Sequence, residues 1–328
     1  MSAMPRLCVY GAGAVGGHLA ARLAAGGHNA VSVVARGDHL AAIRDNGLTL
    51  LSPDGDVTVR PVAATADPAT LAPQDIVFVT LKAHHLPGEA ERIGALLAPG
   101  GLAVFITNGI PWWWAQGLDG AVHEVAGLLD PAGLLARHVG GERTLGGVVF
   151  SSNRVDRAGV IVHAGFNSWI FGEPAGGTSP RLGKTVRLLA EAGIGASESP
   201  DLRREVLLKL LRNVSGNPLG ALTRLSARQI GERADLRAVS SALRREAMAI
   251  SAALGWDLAN AFDPDSFKLP ATGEVRTSML QDALAGREME VDALLGQLAV
   301  FARRLGVAVP TLEVVLALVS GLNDSRPQ

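Results

Sequence analysis

The chain has 328 residues, a formal net charge of −1, 48% hydrophobic residues and a single cysteine, Cys8. This length suits two domains of ordinary size, and the charge excludes the basic footprint of a nucleic-acid-binding protein. The lone cysteine excludes a disulfide framework and a cysteine-rich zinc site. No uninterrupted apolar run reaches the ~18 residues of a membrane span, and no signal peptide is visible, so we expect a cytoplasmic protein with no membrane, nucleic-acid or metal partner.

The first predicted element is an apolar strand at 7–10, which leads directly into a glycine-rich loop and then a helix. The loop has G-x-G-x-x-G spacing and consists of Gly11, Ala12, Gly13, Ala14, Val15 and Gly16. In a dinucleotide-binding loop the first glycine permits a tight turn, the second lets the backbone approach the pyrophosphate, and the third lets helix and strand pack closely. Together with the free N–H groups of the helix N-terminus, this loop predicts a nucleotide cofactor.

The second strand, at 30–35, ends at Arg36, about 20 residues beyond the last glycine, where NAD-binding domains usually carry an acidic residue for the ribose 2′-hydroxyl. A guanidinium can instead bind a 2′-phosphate through two parallel hydrogen bonds. The sequence therefore favours NADP(H). The nearby Asp38 leaves NAD(H) open as the alternative.

The rest of the first 200 residues alternates apolar strands with helices, as in a doubly wound α/β sheet. Further strands are predicted at 57–59, 75–81, 102–107, 145–151, 159–163 and 168–171, and helices at 86–97 and 181–192, with a short segment at 194–197. We interpret the strands after 121 as additions to one side of the same sheet. This pattern predicts an N-terminal Rossmann-type cofactor domain, 1–200.

The composition changes near Pro200, after which apolar residues recur at helical spacing. Helices are predicted at 202–214, 234–254, 275–284, 289–305 and 312–321. The fold class is therefore α/β, with a second, all-helical C-terminal domain at 201–328 and a substrate cleft between the domains. The apolar C-terminal helices could pack internally or across a homodimer.

Two polar residues follow predicted strands of the first domain. Lys82 follows the strand at 75–81 and can reach a cofactor phosphate or ribose, or a substrate carboxylate. Asn108 follows the strand at 102–107, where a nicotinamide ring would lie. The alternatives are a surface lysine and a simple Asn-Gly turn. The tryptophans at 112–114 could line or cover a cleft, form an interface, or pack in a core.

Lysine is rare in this chain and occurs only at Lys82, Lys184, Lys209 and Lys268. Unlike arginine, lysine can lose its proton, so each is a candidate for proton chemistry. Lys209, Asn213 and Asn217 have i, i+4, i+8 spacing and share one helix face. Neighbouring leucines would desolvate the ammonium and lower its pKa, making it a better acid, whereas a solvated face is the alternative. Pro218 predicts that this helix ends or kinks at Asn217.

The last candidate residues are Ser278 and Glu290, in the segments SMLQD and EMEVD. A straight helix would separate them by about 18 Å, more than a small substrate spans. If both contact one ligand, the helix must break between them, and Gly286 is the predicted position.

Taken in chain order, these segments resemble the ketopantoate reductase (2-dehydropantoate 2-reductase) family over nearly the full length. The resemblance is carried by GAGAVGG, Arg36, LKA, NG, the K-x-x-x-N-x-x-x-N-P run, SMLQD and E-V-D. It implies NADPH held between a Rossmann domain and a helical domain. It also implies reduction of the small 2-oxo acid ketopantoate to (R)-pantoate, in pantothenate and coenzyme A synthesis.

The resemblance also implies a role for each matching residue. Lys209 would protonate the alkoxide that forms at C2, and Glu290 would bind the 4-hydroxyl of ketopantoate. Asn213 and Asn217 would hold the carbonyl and hydroxyl region, and Ser278 the carboxylate. Arg36, Lys82 and Asn108, together with the glycine-rich loop, match cofactor contacts of the family.

The chain departs from the family pattern around Asn108. Thr107 stands where many members have glutamine, and Ile110, Pro111 and the tryptophans at 112–114 stand where small residues are common. Two alternatives to ketopantoate reduction remain: a reductase of another branched or aromatic 2-oxo acid, and, from a different class, an NADP(H)-binding regulator without turnover. The intact Lys209 argues against the regulator, and Glu290 favours a hydroxylated substrate because an apolar one would leave its carboxylate unpaired.

Overall fold

The computed structural model describes residues 4–27, 30–118, 128–267 and 276–326. It divides into two compact units, one of Met1–Thr107 with Asp130–Arg203 and the other of Asn108–Leu129 with Arg204–Gln328. The predicted boundary at 200/201 is close to the division after Arg203. Asn108–Leu129, however, groups with the second unit. One contact that joins this segment to the second unit is the hydrogen bond from the backbone N–H of Ile110 to the carbonyl of Ala293.

The first unit contains all the strands and five α-helices of the described residues, with 3₁₀ turns at Pro68–Thr70, Ala83–His85 and Gly141–Arg143. The strands are β1 (Leu7–Tyr10), β2 (Val31–Val34), β3 (Leu48–Leu51), β4 (Val57–Val59), β5 (Ala63–Thr65), β6 (Gln74–Val79), β7 (Leu97–Ile106), β8 (Thr144–Phe150), β9 (Asn153–Arg157), β10 (Val160–His163), β11 (Ser168–Gly172) and β12 (Ala196–Glu198). The helices are α1 (Ala14–Ala25), α2 (Gly37–Asn46), α3 (Leu86–Leu96), α4 (Leu134–His138) and α5 (Pro180–Glu191).

The main sheet has the strand order β12-β11-β8-β7-β6-β1-β2-β5. The strands from β8 to β5 are parallel, and β11 is antiparallel to β8. All four residues of β1 are buried, as expected for a parallel strand covered on both faces. The chain runs to opposite sides of β1 and β6, so their carboxyl ends form the topological switch point at which such sheets bind ligands. The predicted Rossmann-type, doubly wound fold is confirmed.

The prediction that every later strand joins this sheet is wrong for 159–163. β10 belongs to a separate sheet of order β4-β3-β10-β9, in which Val160 pairs with Thr49 in parallel register. Strand β3 was not predicted from the sequence. Because β10 then had no other predicted partner, it was assigned to the main sheet. An ideal Cβ at Gly17 of α1 would lie 2.7 Å from the side chain of Ile161, so α1 packs closely on this second sheet.

Every element in the described part of the second unit is helical, as predicted. The helices are α6 (Leu202–Thr223, of which Arg204 onward lies in this unit), α7 (Ala227–Glu232), α8 (Ala234–Ala253), α9 (Ser278–Leu284), α10 (Gln297–Leu305) and α11 (Pro310–Asp324), with a 3₁₀ turn at Trp112–Ala115 and a π-helical turn at Asp292–Gly296. No helix in the described ranges is long and apolar enough to cross a membrane.

Helix α6 does not end at Asn217 but continues through Pro218 to Thr223. A proline inside a helix removes one backbone hydrogen bond. Here the residues beyond it, Leu219 and Ala221, are buried, and their burial holds the last turns in place. Tertiary packing therefore overrides the local signal.

Candidate active site

The glycine-rich loop lies between β1 and α1, at the switch point of the main sheet. An ideal Cβ at Gly16 would lie 2.3 Å from both the carbonyl oxygen of Gly11 and the hydroxyl of Thr80, so no side chain fits there. An ideal Cβ at Gly13 would have no heavy atom within 4 Å. Gly16 is thus required for close packing, whereas Gly13 leaves open space beside the helix N-terminus.

The first turn of α1 offers backbone N–H groups to a ligand. Gly13 is the N-cap residue, and no side chain caps the helix. Uncapped N–H groups at a helix N-terminus bind phosphate well, because they are unsatisfied and lie at the positive end of the helix dipole. The open space at Gly13 and the uncapped turn at Ala14 and Val15 therefore fit the pyrophosphate of a dinucleotide.

His39, which the sequence analysis did not identify, supports this loop. The backbone N–H of Gly159 donates to its Nδ1 over 3.0 Å, and its Nε2 lies 2.7 Å from the carbonyl oxygen of Ala12. Because Nδ1 accepts a hydrogen bond, Nε2 carries the proton and donates it to Ala12. His39 thus ties the loop to the start of β10, a long-range contact that leaves no local pattern in the sequence.

The other predicted cofactor residues of this unit follow strands of the main sheet. Arg36 is the N-cap residue of α2, directly after β2, and is exposed. Its guanidinium makes no ion pair with the described residues. Asp38 is exposed in the first turn of α2, and the half-buried Lys82 follows β6. Arg36 and Asp38 therefore follow the carboxyl end of one parallel strand, and Lys82 that of another.

In the second unit, three predicted site residues form one hydrogen-bonded chain. Lys209 Nζ donates to Asn108 Oδ1 over 2.8 Å, and Asn108 Nδ2 donates to Glu290 Oε2 over 3.2 Å. Glu290 is 9% exposed, and Lys209 and Asn108 are partly buried. The amide of Asn108 therefore bridges an ammonium and a carboxylate, with each end oriented toward the charge that it stabilises.

Burial lowers the pKa of Lys209 to about 8, and the carboxylate of Glu290 partly opposes this shift. The ammonium stays protonated at neutral pH yet gives up its proton more readily than an exposed lysine does, as suits a general acid. Of the other lysines, Lys82 lies in the first unit, Lys184 is exposed on α5, and Lys268 lies outside the described residues.

The remaining predicted substrate residues lie along the same helix and at the start of α9. Asn213 is partly buried and Asn217 is buried on α6, and neither side-chain amide hydrogen-bonds to the described residues. An ideal Cβ at Gly220 would lie 3.0 Å from Thr277 Oγ1. Ser278, the next residue, therefore begins α9 beside the segment of α6 that follows Asn217.

The predicted break between Ser278 and Glu290 is confirmed. Helix α9 ends at Leu284, and Gly286 has a φ of 65°, in the left-handed region that favours glycine. The predicted single helix at 289–305 is instead the π-helical turn followed by α10. Ser278 and Glu290 are thus not held apart by one rigid helix, which was the condition for a shared ligand.

The three tryptophans at 112–114 are all buried in the structure. They form a 3₁₀ turn, whose successive side chains point about 120° apart, so the turn is enclosed on every side. The ring of Trp114 lies 5.6 Å from Trp256 and 6.1 Å from Phe301. Of the alternatives for these tryptophans, a cleft, an interface or a core, their burial fits packing in a core.

The fold and the site define a pyridine-nucleotide-dependent oxidoreductase. Residues 7–176 match the model of the family described as ketopantoate reductase PanE/ApbA, and residues 201–323 match that of its C-terminal part. A 2-dehydropantoate 2-reductase of Mesorhizobium japonicum is 37% identical over 98% of both chains. The chain belongs to the ketopantoate reductase family.

Two solved structures extend the similarity to three dimensions. A candidate ketopantoate reductase from Ralstonia solanacearum MolK2 has a TM-score of 0.86 and 33% identity over 99% of both chains. A 2-dehydropantoate 2-reductase from Geobacter metallireducens has a TM-score of 0.79 and 26% identity, over 96% of this chain and 99% of the other. The predicted family and fold class are therefore both confirmed.

Proposed function

We propose that the protein reduces 2-dehydropantoate (ketopantoate) to (R)-pantoate with NADPH, a step of pantothenate and coenzyme A synthesis, and that Lys209 is the general acid. The observation that carries this proposal is the chain from Lys209 through Asn108 to Glu290. The name of the full-length relative from Mesorhizobium japonicum supports the substrate.

The bound nicotinamide would supply a hydride to C2 of the 2-oxo acid, and negative charge would develop on the carbonyl oxygen. Lys209 would donate a proton from Nζ to that oxygen and become a neutral amine. Asn108 and Glu290 hold the ammonium in the orientation needed for this transfer. The amides of Asn213 and Asn217 would bind the carbonyl and hydroxyl region, and Ser278 the carboxylate.

Glu290 supports a hydroxylated substrate. Its carboxylate is buried and accepts a hydrogen bond from Asn108, and a carboxylate can accept several hydrogen bonds, one of them from a substrate hydroxyl. A substrate without that hydroxyl would desolvate the carboxylate without replacing its water, at a cost of about 1–3 kcal/mol or more. Ketopantoate has a 4-hydroxyl, whereas simple branched and aromatic 2-oxo acids have none.

Arg36 supports NADPH as the cofactor. Its exposed guanidinium stands after β2, at the position that contacts the ribose 2′ substituent in dinucleotide-binding domains. A guanidinium matches the geometry of a phosphate, whereas it offers a 2′-hydroxyl only a weaker hydrogen bond. Asp38, which is also exposed in α2, is the residue through which NADH would be accepted instead.

The test is a steady-state assay that follows the loss of NADPH absorbance with three acids. These are ketopantoate, 3,3-dimethyl-2-oxobutanoate, which lacks only the 4-hydroxyl, and phenylglyoxylate as an aromatic acid. We expect kcat/KM for ketopantoate to exceed that for the matched analogue by at least about 100-fold. We also expect NADPH to be preferred to NADH, and Arg36→Gln to reduce that preference.

Each other outcome would replace the proposal. Faster reduction of the analogue or of phenylglyoxylate would assign the alternative, a reductase of another 2-oxo acid. NADPH binding without reduction of any acid would support the non-catalytic regulator. An unchanged cofactor preference in Arg36→Gln would remove Arg36 from the 2′-phosphate site.

A further inference from the structure

The chain changes helical register directly after Glu290, in the π-helical turn Asp292–Gly296. The backbone N–H of Gln297 donates to the carbonyl of Asp292, five residues earlier, and not to that of Ala293, four residues earlier. A π turn therefore leaves the Ala293 carbonyl without its usual α-helical donor. That oxygen accepts instead from the backbone N–H of Ile110, over 2.9 Å.

The turn formed by Asn108 and Gly109 lies in close contact with the Ala293 carbonyl. Gly109 has a φ of 76°, and an ideal Cβ built on it would lie 2.1 Å from the Ala293 oxygen and 2.4 Å from the carbonyl carbon. Real side chains do not fit at such distances. The Asn-Gly turn can therefore approach the π turn only because residue 109 has no side chain.

These two contacts fix the backbone next to Asn108, the residue that bridges the Lys209 ammonium and the Glu290 carboxylate. Asn108 immediately precedes Gly109, and its amide contacts Lys209 at one end and Glu290 at the other. Glu290 itself lies two residues before the π turn. The turn thus fixes the distance between Asn108 and Glu290 through one short, bonded backbone contact.

We propose that the π-helical turn Asp292–Gly296 and Gly109 form a positioning device for the proton donor, in which the Ala293 carbonyl holds the 109–110 backbone and so keeps Asn108 between Lys209 and Glu290. Gly109 and Ala293 are positioning residues, since they act through Asn108 and do not touch the substrate. The proposal deepens the proposed function and rests on it.

A displaced Asn108 has a defined chemical consequence. The hydrogen bond from Nζ to Asn108 Oδ1 stabilises the charged form of Lys209, together with the carboxylate of Glu290. Losing that bond lowers the pKa of Lys209 below its value of about 8. The lysine then loses its proton at a lower pH, so the alkaline limb of the kcat profile moves toward neutral pH.

The test compares Gly109→Ala with a matched control, Gly100→Ala. Gly100 also has a φ of 76°, but an ideal Cβ there has no heavy atom within 4 Å. Both variants carry the same left-handed strain, and only Gly109→Ala collides with Ala293. We expect Gly109→Ala to lower kcat about 10- to 100-fold, because a displaced acid loses part of the roughly 10²- to 10⁴-fold that a well-placed one contributes. Gly100→Ala should keep kcat within about 2-fold.

A double-variant cycle separates positioning from general damage. If Gly109 acts through Asn108, Gly109→Ala should cost nothing further in an Asn108→Ala background. Additive losses would overturn the proposal. Ala293→Val provides a second variant if Gly109→Ala does not fold, because the Ala293 Cβ lies 3.0 Å from the ideal Cβ of Gly109 and crowds the same contact from the helix side.

A readout independent of turnover distinguishes this proposal from the proposed function. The chain has few lysines, Lys82, Lys184, Lys209 and Lys268, so NMR titration of lysine labelled at Cε can follow Lys209, assigned by Lys209→Arg. We expect a lower titration midpoint in Gly109→Ala than in the wild type. An unchanged midpoint overturns the positioning role, whereas a lowered midpoint in a protein that does not reduce ketopantoate overturns only the proposed substrate.

Discussion

Two imidazole rings, His18 and His163, lie 4.5 Å apart inside the first unit. His18 is fully buried, its Nδ1 lies 2.9 Å from Asn153 Oδ1, and its Nε2 has no hydrogen-bond partner among the described residues. Burial, with the nearby His163 and Arg22, lowers the pKa of His18 to about 4, despite the opposing effects of Asn153 and Asp54. A proton on this ring would have no partner at Nε2, so the fold favours the neutral form.

This residue should make the protein sensitive to acid. Between its unfolded pKa, near 6.5, and its folded pKa, near 4, the unfolded chain binds more protons, so stability falls as pH falls through that window. The expected loss is up to about 3 kcal/mol. In His18→Leu this part of the pH dependence should be absent, as measured by urea unfolding at pH 7, 5.5 and about 4. An equal slope in the variant and the wild type would contradict the assignment.

Two glycines of the glycine-rich loop, Gly16 and Gly13, have different surroundings. Gly16 is enclosed by the Gly11 carbonyl and the Thr80 hydroxyl, which itself donates to Gly11 over 2.6 Å. Gly13 faces open space at the N-terminus of α1. Substitution by alanine should therefore affect mainly the stability of the fold at Gly16 and mainly the binding of NADPH at Gly13.

Gly16→Ala should destabilise the fold by about 1–3 kcal/mol, because the Cβ overlaps two oxygen atoms. Gly13→Ala should change stability by less than about 1 kcal/mol, the scale of an N-cap substitution, yet weaken NADPH binding at least about 10-fold by filling the place of the pyrophosphate. Thermal unfolding and a fluorescence titration with NADPH measure the two effects. Wild-type affinity in Gly13→Ala would exclude this loop as the phosphate site.

Sequence reasoning succeeded for elements whose apolar pattern is long or whose boundaries are marked. The predicted strand at 7–10 coincides with β1, and the predicted helix at 86–97 agrees with α3 to one residue. It missed α2, where only Leu40 and Ile43 are buried, and β3, which has four residues. Short or mostly polar elements acquire their structure from partners distant in the chain, and local periodicity does not reveal those partners.

The candidate site divides in the same way. Helical spacing alone placed Lys209, Asn213 and Asn217 together, and all three lie on α6. Asn108 is 101 positions from Lys209 and 182 positions from Glu290 in the chain. Spacing within one helix or strand therefore could not predict that Asn108 bridges the two. The π turn is equally hidden, because it differs from an α-helix by one residue of register and has no composition of its own.

At the scale of the whole molecule, the residues proposed for cofactor binding and those proposed for proton donation lie mainly in different compact units. The first unit holds the glycine-rich loop, Arg36 and Lys82, and the second holds Lys209, Asn108 and Glu290. If the proposed roles hold, cofactor binding and proton donation depend mainly on different sets of residues, with Asn108 the residue that both predictions share. A variant in one set should leave the function of the other set nearly intact.

Lys209→Ala should accordingly abolish turnover, with kcat reduced at least about 100-fold, and leave NADPH binding nearly unchanged. Lys209→Arg should not restore activity, since a guanidinium does not release its proton. In the wild type, kcat should fall as pH rises through about 8, where Lys209 loses its proton. Loss of NADPH binding together with turnover would identify Lys209 as a structural residue.

The second unit is discontinuous in the chain, because Asn108–Leu129 groups with it while Asp130–Arg203 returns to the first unit. A single crossover near residue 200 would therefore not exchange one complete module for another. Asn108 and the aromatic ring of Trp114, which packs on Trp256 and Phe301, would remain with the N-terminal half. A chimera joined near residue 200 would therefore combine these residues with helices from a different protein.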